Sequence, residues 1–560
     1  MKTNVSVVRR LTLAALLAYL ARLPAAAEVK PHALFSENAV LQQQMAVPVW
    51  GTAADGEPVT VEFQDQKLAT TASNGQWQVV LKPLTAGGPF TLRISGTNSA
   101  VAFTNIAVGE VWLCSGQSNM ASGLGDTENG AAELARANDP LLRILVVPIG
   151  RSEKVERDLA GPTLWRPIVG SYNANLCGAV PYYFARELCR ARQVPVGILQ
   201  CVWGGSLAEA WTPRNYLEAD PTFKPIFARY PLMLKQYETA LADYQKGEPE
   251  LKKQYAEALA KAKAEGAQPP KPPAPPMDPA QNGKVQRDRP YGIFNGMLAP
   301  LQPYAIRGAA WYQGESSRDD VSHQAVLSTM IRAWRETWGQ QVSSRSATDR
   351  NYALPGGSPS TGSGRDFPFL IVQLPGYSTY VSEPGESFWA ELREAQLITS
   401  QKVPNTALAI TVDLGDEKNL NNLHPPRKEP VGVRLGLAAR ALAYGEKIEY
   451  SGPIYESMDI KGDRAFLRFQ HVGGGLVAGN GAPSTGSERA LKGFAIAGSD
   501  KKFVNAQAEI RGAQVMVWSP LAAKPAAVRY GWATHPVGNL WNREGLPASP
   551  FRTDAADGPR

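Results

Sequence analysis

The chain has 560 residues, 44% of them hydrophobic and 19% charged, with a formal net charge of +7. That length calls for about two to four domains, and the composition is that of a globular protein, which excludes fibrous and disordered classes. No block rich in Lys and Arg stands beside interleaved aromatics, so nucleic acid is excluded as the expected partner.

Arg9 and Arg10 precede a mostly apolar run over 11–20, and Ala25-Ala26-Ala27 follows. This reads as a signal peptide over 1–27, cleaved after Ala27, and predicts a secreted or periplasmic protein. Loss of Lys2, Arg9, Arg10 and Arg22 with it would lower the net charge to about +3. The apolar run is too short to cross a bilayer and no later run of about 18 apolar residues exists, so no membrane span is expected.

Residues 28–105 read as a β-sandwich. Short runs with β-branched enrichment or alternation, such as Val47-Pro48-Val49-Trp50, are separated by Asp55-Gly56, Asn74-Gly75 and Gly87-Gly88. Asn-Gly and Asp-Gly are strong hairpin signals. From 106 the texture changes to apolar strands alternating with helical patterns, which predicts a parallel sheet. The predicted strands are 106–114, 196–202, 305–311, 369–374 and 407–412. Val180, Tyr183, Phe184 and Leu188 mark one face of a helix, and Pro430, Val433, Leu437 and Leu442 mark another that stops at Gly445.

This α/β domain runs over 106–446 and carries two insertions. Residues 232–290 combine a solvated helix over 234–264 with a Pro-rich spacer, and 341–366 form a Ser/Gly-rich loop; both are expected to be surface decoration without a catalytic role. Residues 447–560 return to short strands and form a C-terminal β-rich module. Cys114, Cys177, Cys189 and Cys201 show no C-x-x-C spacing, so no metal site is expected. Cys114, inside a core strand, reads as a buried free thiol; export leaves pairing of the others open.

The chemistry gathers at strand ends, where open α/β sheets bind ligands. The first strand runs into Ser115-Gly116-Gln117-Ser118-Asn119, the second into Gly204-Gly205-Ser206, the third into Gln313-Gly314-Glu315-Ser316. The last gives Asp413-Leu414-Gly415-Asp416 and then Asn421-Asn422-Leu423-His424-Pro425. A serine nucleophile needs an adjacent base. Of His32, His323, His424, His471 and His535, only His424 follows the last core strand and precedes a helix; His323 reads as surface. Oxyanion donors would be the Ser118 and Gly205 N–H groups with the side-chain amide of Gln313 or Asn119. Trp203, Trp211, Trp311 and Trp389 lie near this edge, and most of them are expected in the core.

The segments Val108-Gly109-Glu110-Val111-Trp112-Leu113-Cys114-Ser115-Gly116-Gln117-Ser118-Asn119-Met120, Trp311-Tyr312-Gln313-Gly314-Glu315-Ser316 and Leu423-His424-Pro425 resemble the signatures of sialate O-acetylesterases, serine esterases of the SGNH or GDSL-like superfamily. Trp203-Gly204-Gly205-Ser206, Glu209-Ala210-Trp211 and Leu392-Arg393-Glu394-Ala395-Gln396 extend the likeness. The resemblance implies a flavodoxin-like three-layer α/β/α hydrolase domain with flanking β-sandwich-like modules, acting on an O-acetylated sugar or glycan without metal or cofactor. It implies Ser118 as nucleophile, His424 as base, and Gly205 and Gln313 as oxyanion contributors. Acetylxylan or another polysaccharide is the alternative substrate, and a non-catalytic carbohydrate-binding protein the alternative class. Where the superfamily carries an acid shortly before the His, this chain has Asn421 and Asn422. The orienting acid is then Asp416, Asp413 or Glu315, with Asn119 in support, or a backbone carbonyl leaves a Ser–His dyad. Arg393 and Arg427 are the candidates to face a sialate carboxylate.

Overall fold

The computed structural model describes residues 28–343, 366–479 and 490–554. The expected signal peptide and most of the 341–366 insertion lie outside these residues. Seven strands open the chain: β1 (Lys30–Pro31), β2 (Val40–Gln42), β3 (Val47–Thr52), β4 (Pro58–Phe63), β5 (Gln66–Thr71), β6 (Gln76–Leu81) and β7 (Gly87–Ser95). Alternation does the work the sequence suggested. Val59, Val61 and Phe63 of β4, and Trp77, Val79 and Leu81 of β6, are buried while the residues between them are less so. β1, β3 and β6 form an antiparallel sheet, and β4 pairs with β5 and β7.

β8 (Ala100–Gly116) crosses the boundary expected between 105 and 106. Its first half pairs antiparallel with β7, and its second half enters the main sheet between parallel neighbours. The N-terminal module and the α/β domain therefore share a strand. The main sheet continues with β9 (Asn138–Val146), β10 (Arg166–Val169), β11 (Val196–Val202), β12 (Gly308–Tyr312), β13 (Phe369–Val372) and β14 (Thr406–Ala409), in the order β10-β9-β11-β8-β12-β13-β14. All neighbours are parallel except the edge strand β10.

Two apolar clusters cover the two faces. Val111 and Leu113 of β8 join Leu199, Trp311 and Ile371 beneath the helices His323–Ser343 and Phe388–Lys402. Trp112 and Cys114 join Ile198, Tyr312 and Val372 beneath the helices Ala179–Arg192 and Glu429–Tyr444. Burial on both faces is why these strands read as unbroken apolar runs. The 232–290 insertion contains a helix that starts earlier than expected, Lys224–Glu265, with only Ile226 and Ala262 buried. Arg229 near its start pairs with Glu209 and, at 2.7 Å, with Asp320. The C-terminal strands form an antiparallel four-stranded sheet, a second four-stranded sheet and a two-stranded ribbon around their own core, which includes Leu467, Ile496, Val517 and Val528.

His323 is not on the surface: it is buried, its Nδ1 lies 3.1 Å from Ser317 Oγ, and burial lowers its pKa to about 4. All four cysteines are free, three of them buried, Cys114 included. Among the described residues no helix is long and apolar enough to cross a membrane, and no group of three or more His, Cys, Asp or Glu side chains could hold a metal ion.

Candidate active site

Three strand ends meet at one level. Gly116 of β8 is in register with Val202 of β11 on one side and Tyr312 of β12 on the other. The Trp203 N–H donates to Gly116 O at 3.0 Å, and the Gln117 N–H to Tyr312 O at 3.0 Å. Gly116 has φ +134°, and a side chain there would strike the Tyr312 carbonyl. The loops carrying Ser118, Gly204-Gly205 and Gln313 thus leave the sheet side by side, at the point where later strands flank an earlier one.

Ser118 begins the single helical turn Ser118–Ala121, and its Oγ lies 2.7 Å from His424 Nε2. His424 comes from the loop after β14. Asp416 shapes that loop: its carboxylate accepts from the Lys418 N–H (3.0 Å), the Asn419 N–H (3.1 Å) and Asn422 Nδ2 (2.8 Å). Asn422 Oδ1 in turn accepts the His424 N–H at 2.9 Å. Asn119, fully buried, ties the two loops together. Its Nδ2 donates to Leu423 O at 3.0 Å and to Glu315, and its Oδ1 accepts from Lys428 Nζ.

Burial raises the Glu315 pKa and lowers that of Lys428 to about 7, each form of charge being costly away from water. The His424 pKa is also lowered, first by partial burial and then by the Lys428 charge, so the ring stays neutral and able to accept a proton. The Ser118 and Gly205 N–H groups donate to no other group among the described residues.

Several expectations about the site need correcting. No carboxylate among the described residues bonds to His424. Asp416 is occupied in its own loop, Asp413 makes a two-pronged ion pair with Arg434 at 2.7 and 2.8 Å, and Glu315 faces Asn119. Asn119 is no free oxyanion donor, since both amide hydrogens are committed. Gln313 is fully buried, and its amide donates to Ser206 O at 3.2 Å, bracing one strand-end loop against the next. Arg393 is wholly buried and spent on four carbonyls, so it cannot meet a substrate. Arg427 is exposed and lies 3.5 Å from Asp413 O. Trp211 and Trp311 are core residues packed edge to face, while Trp203 and Trp389 are half-buried. Two residues escaped the reading of the sequence. Lys428 sits in the charged run Arg427-Lys428-Glu429, which reads as solvated, and Arg287 follows the Pro-rich spacer; nothing local marks either.

The family model described as carbohydrate esterase, sialic acid-specific acetylesterase, matches residues 108–264. The sialate O-acetylesterase of Mus musculus is 30% identical over 77% of this chain and 77% of its own length. That of Homo sapiens is 28% identical over 78% of this chain and 75% of its own. A crystal structure described as a novel carbohydrate acetylesterase from Xanthomonas citri superposes with a TM-score of 0.72 at 32% identity, covering 94% of this chain and all of that one. With these relatives, the chain belongs to the sialate O-acetylesterase family and is a carbohydrate O-acetylesterase.

Proposed function

We propose that the enzyme deacetylates O-acetylated sialic acid through an acyl-enzyme on Ser118, with His424 as the general base, on an SGNH-type three-layer α/β/α domain. The observation that carries this reading is the 2.7 Å contact between Ser118 Oγ and His424 Nε2 at the carboxyl edge of the sheet. Helices on both faces of that sheet support the fold assignment, and the sialic acid-specific family match supports the substrate.

Ser118 Oγ attacks the acetyl carbonyl carbon while its proton passes to His424 Nε2. The oxyanion that forms takes the Ser118 and Gly205 N–H groups, both without another acceptor. Collapse of the tetrahedral adduct breaks the ester C–O bond, and the imidazolium returns its proton to the departing sugar hydroxyl. Water, deprotonated by the same ring, then releases acetate and restores the serine. The pair works as a dyad, its histidine oriented by the Asn422 and Asn119 contacts to the loop rather than by an acid. Export to the periplasm or beyond belongs to the same reading and rests on Arg9-Arg10, the apolar run and Ala25-Ala26-Ala27.

Ser118→Ala and His424→Ala should each lower p-nitrophenyl acetate turnover by about 10³-fold or more while circular dichroism stays native. Equal turnover by wild type and Ser118→Ala would remove the serine mechanism.

A further inference from the structure

The 232–290 insertion rejoins the body of the protein through the short helix Gly283–Arg287, capped by Asn282, whose Oδ1 accepts the Lys284 N–H at 3.0 Å. Arg287 ends this helix beside the strand-end loop after β11. Its Nη1 donates to Gly204 O at 2.9 Å, and its Nε donates to Asp288 Oδ1 at 2.7 Å. The guanidinium lies against Gly205, which has φ +72°. A Cβ on that glycine would fall 2.7 Å from Nη1, 3.2 Å from Cζ and 3.3 Å from Nη2, so only glycine admits the arginine here. Ser118 lies close to the same loop: a Cβ on Gly204 would stand 3.5 Å from Ser118 Cβ. The arginine and the serine therefore touch adjacent residues of one turn.

Nη2 donates to no group among the described residues, yet it is not among the buried atoms that lack a partner; it reaches solvent. An arginine fixed by two bonds with a third nitrogen open is pre-organised to take a carboxylate, and the fixed plane makes that contact directional. A neutral sugar would gain little from it.

We propose that Arg287 is a specificity-determining residue that binds the carboxylate of an anionic O-acetylated sugar while Ser118 attacks its ester. This gives the insertion a part in substrate choice, and it rests on Ser118 being the nucleophile. The role is recognition, so it acts first on KM for charged substrates.

The test compares wild type, Arg287→Gln and Arg287→Lys on three substrates: an O-acetylated sialic acid, its carboxyl methyl ester, and p-nitrophenyl acetate. Wild type should prefer the free acid to the methyl ester. Arg287→Gln should raise KM for the free acid by about tenfold or more and abolish that preference, with a loss on the free acid far larger than any loss on the methyl ester or on p-nitrophenyl acetate. Arg287→Lys should keep part of the preference, a point charge replacing the fixed fork. A wild type that does not distinguish acid from ester would overturn the proposal. So would losses in Arg287→Gln that are equal on all three substrates, since these would mark a structural brace for the Gly204-Gly205 turn. Failure of the serine mechanism reads separately, as p-nitrophenyl acetate turnover surviving Ser118→Ala.

Discussion

Asn119 shows how little of this site is interchangeable. One amide holds a carboxylate, an ammonium and the carbonyl preceding the catalytic-loop histidine. Its two hydrogens and its oxygen are all in use, and Lys428 among the groups it serves is buried, so losing that contact leaves an unpaired polar atom at about 1–3 kcal/mol. Lys428 is the member with a pH signature. Its charge lowers the His424 pKa, which keeps the base neutral, and the enzyme active, to lower pH. In Lys428→Met that push disappears and the His424 pKa rises. The acidic limb of the kcat/KM profile should then move to higher pH. A limb that stays in place would separate Lys428 from the titration of the base. Ser118 and His424 were legible because their residue types and their places after apolar strands both point to chemistry. Lys428 was not: a lysine between an arginine and a glutamate gives no sign that the fold buries it against Tyr312, 5.6 Å from the ring centroid.

At the level of the element, the loop from β14 to His424 is organised by its own side chains. The chain of contacts runs from Asp416 to Asn422 to the His424 backbone N–H. The resemblance places an acid in relatives where this chain has Asn421 and Asn422; the contacts around Asn422 argue against an acid at that position here. In Asn422→Asp the donor to Asp416 vanishes and two carboxylates face each other where a 2.8 Å hydrogen bond stood. The loop must open, and kcat for p-nitrophenyl acetate should fall by about tenfold to 10²-fold, the usual cost of displacing a catalytic group by about an ångström. A variant as fast as wild type would show that the loop is held by other means. The same contrast runs through the strands. β11, β12 and β13 were legible because double burial leaves a short apolar run. β9 was missed: it begins Asn138-Asp139-Pro140, Arg143 interrupts its apolar run, and only 142–145 are buried where it meets the antiparallel edge strand β10. The insertion helix was foreseen over 234–264, but it starts ten residues earlier and carries both Pro231 and Pro249 inside the observed Lys224–Glu265.

Across the whole molecule, the strand-end loops are held from behind by the C-terminal module. Arg393, on the helix Phe388–Lys402, donates to Leu374 O at 2.7 Å and Pro375 O at 2.6 Å in the loop after β13. It also donates to Ala533 O at 2.7 Å and Thr534 O at 2.8 Å in the C-terminal module. Three residues along the same helix, Gln396 accepts the Leu374 N–H and donates to Gln313 O, both at 3.0 Å, which carries the brace to the strand next to Ser118. His535 adds a contact through Nδ1, 2.8 Å from Ser378 O. The segment Leu392-Arg393-Glu394-Ala395-Gln396 is therefore conspicuous for architecture: its arginine joins two modules, and Glu394 pairs with Arg552 at 2.8 Å. Replacing Arg393 with Met removes all four contacts at once; Pro375 O keeps Trp389 Nε1 and Thr534 O keeps the Tyr377 N–H, but Leu374 O and Ala533 O, one from each module, lose their donor, each worth about 1–3 kcal/mol before any rescue by water. The expected outcome is a Tm lowered by several degrees and faster proteolysis between the sheet and the C-terminal module. The acid-to-ester preference of the surviving folded enzyme should stay unchanged, because Arg393 reaches no substrate. A wild-type Tm would assign the cohesion of the two modules to the Arg552–Glu394 and His535–Ser378 contacts. A lost acid-to-ester preference at wild-type Tm would return the carboxylate-binding role to Arg393.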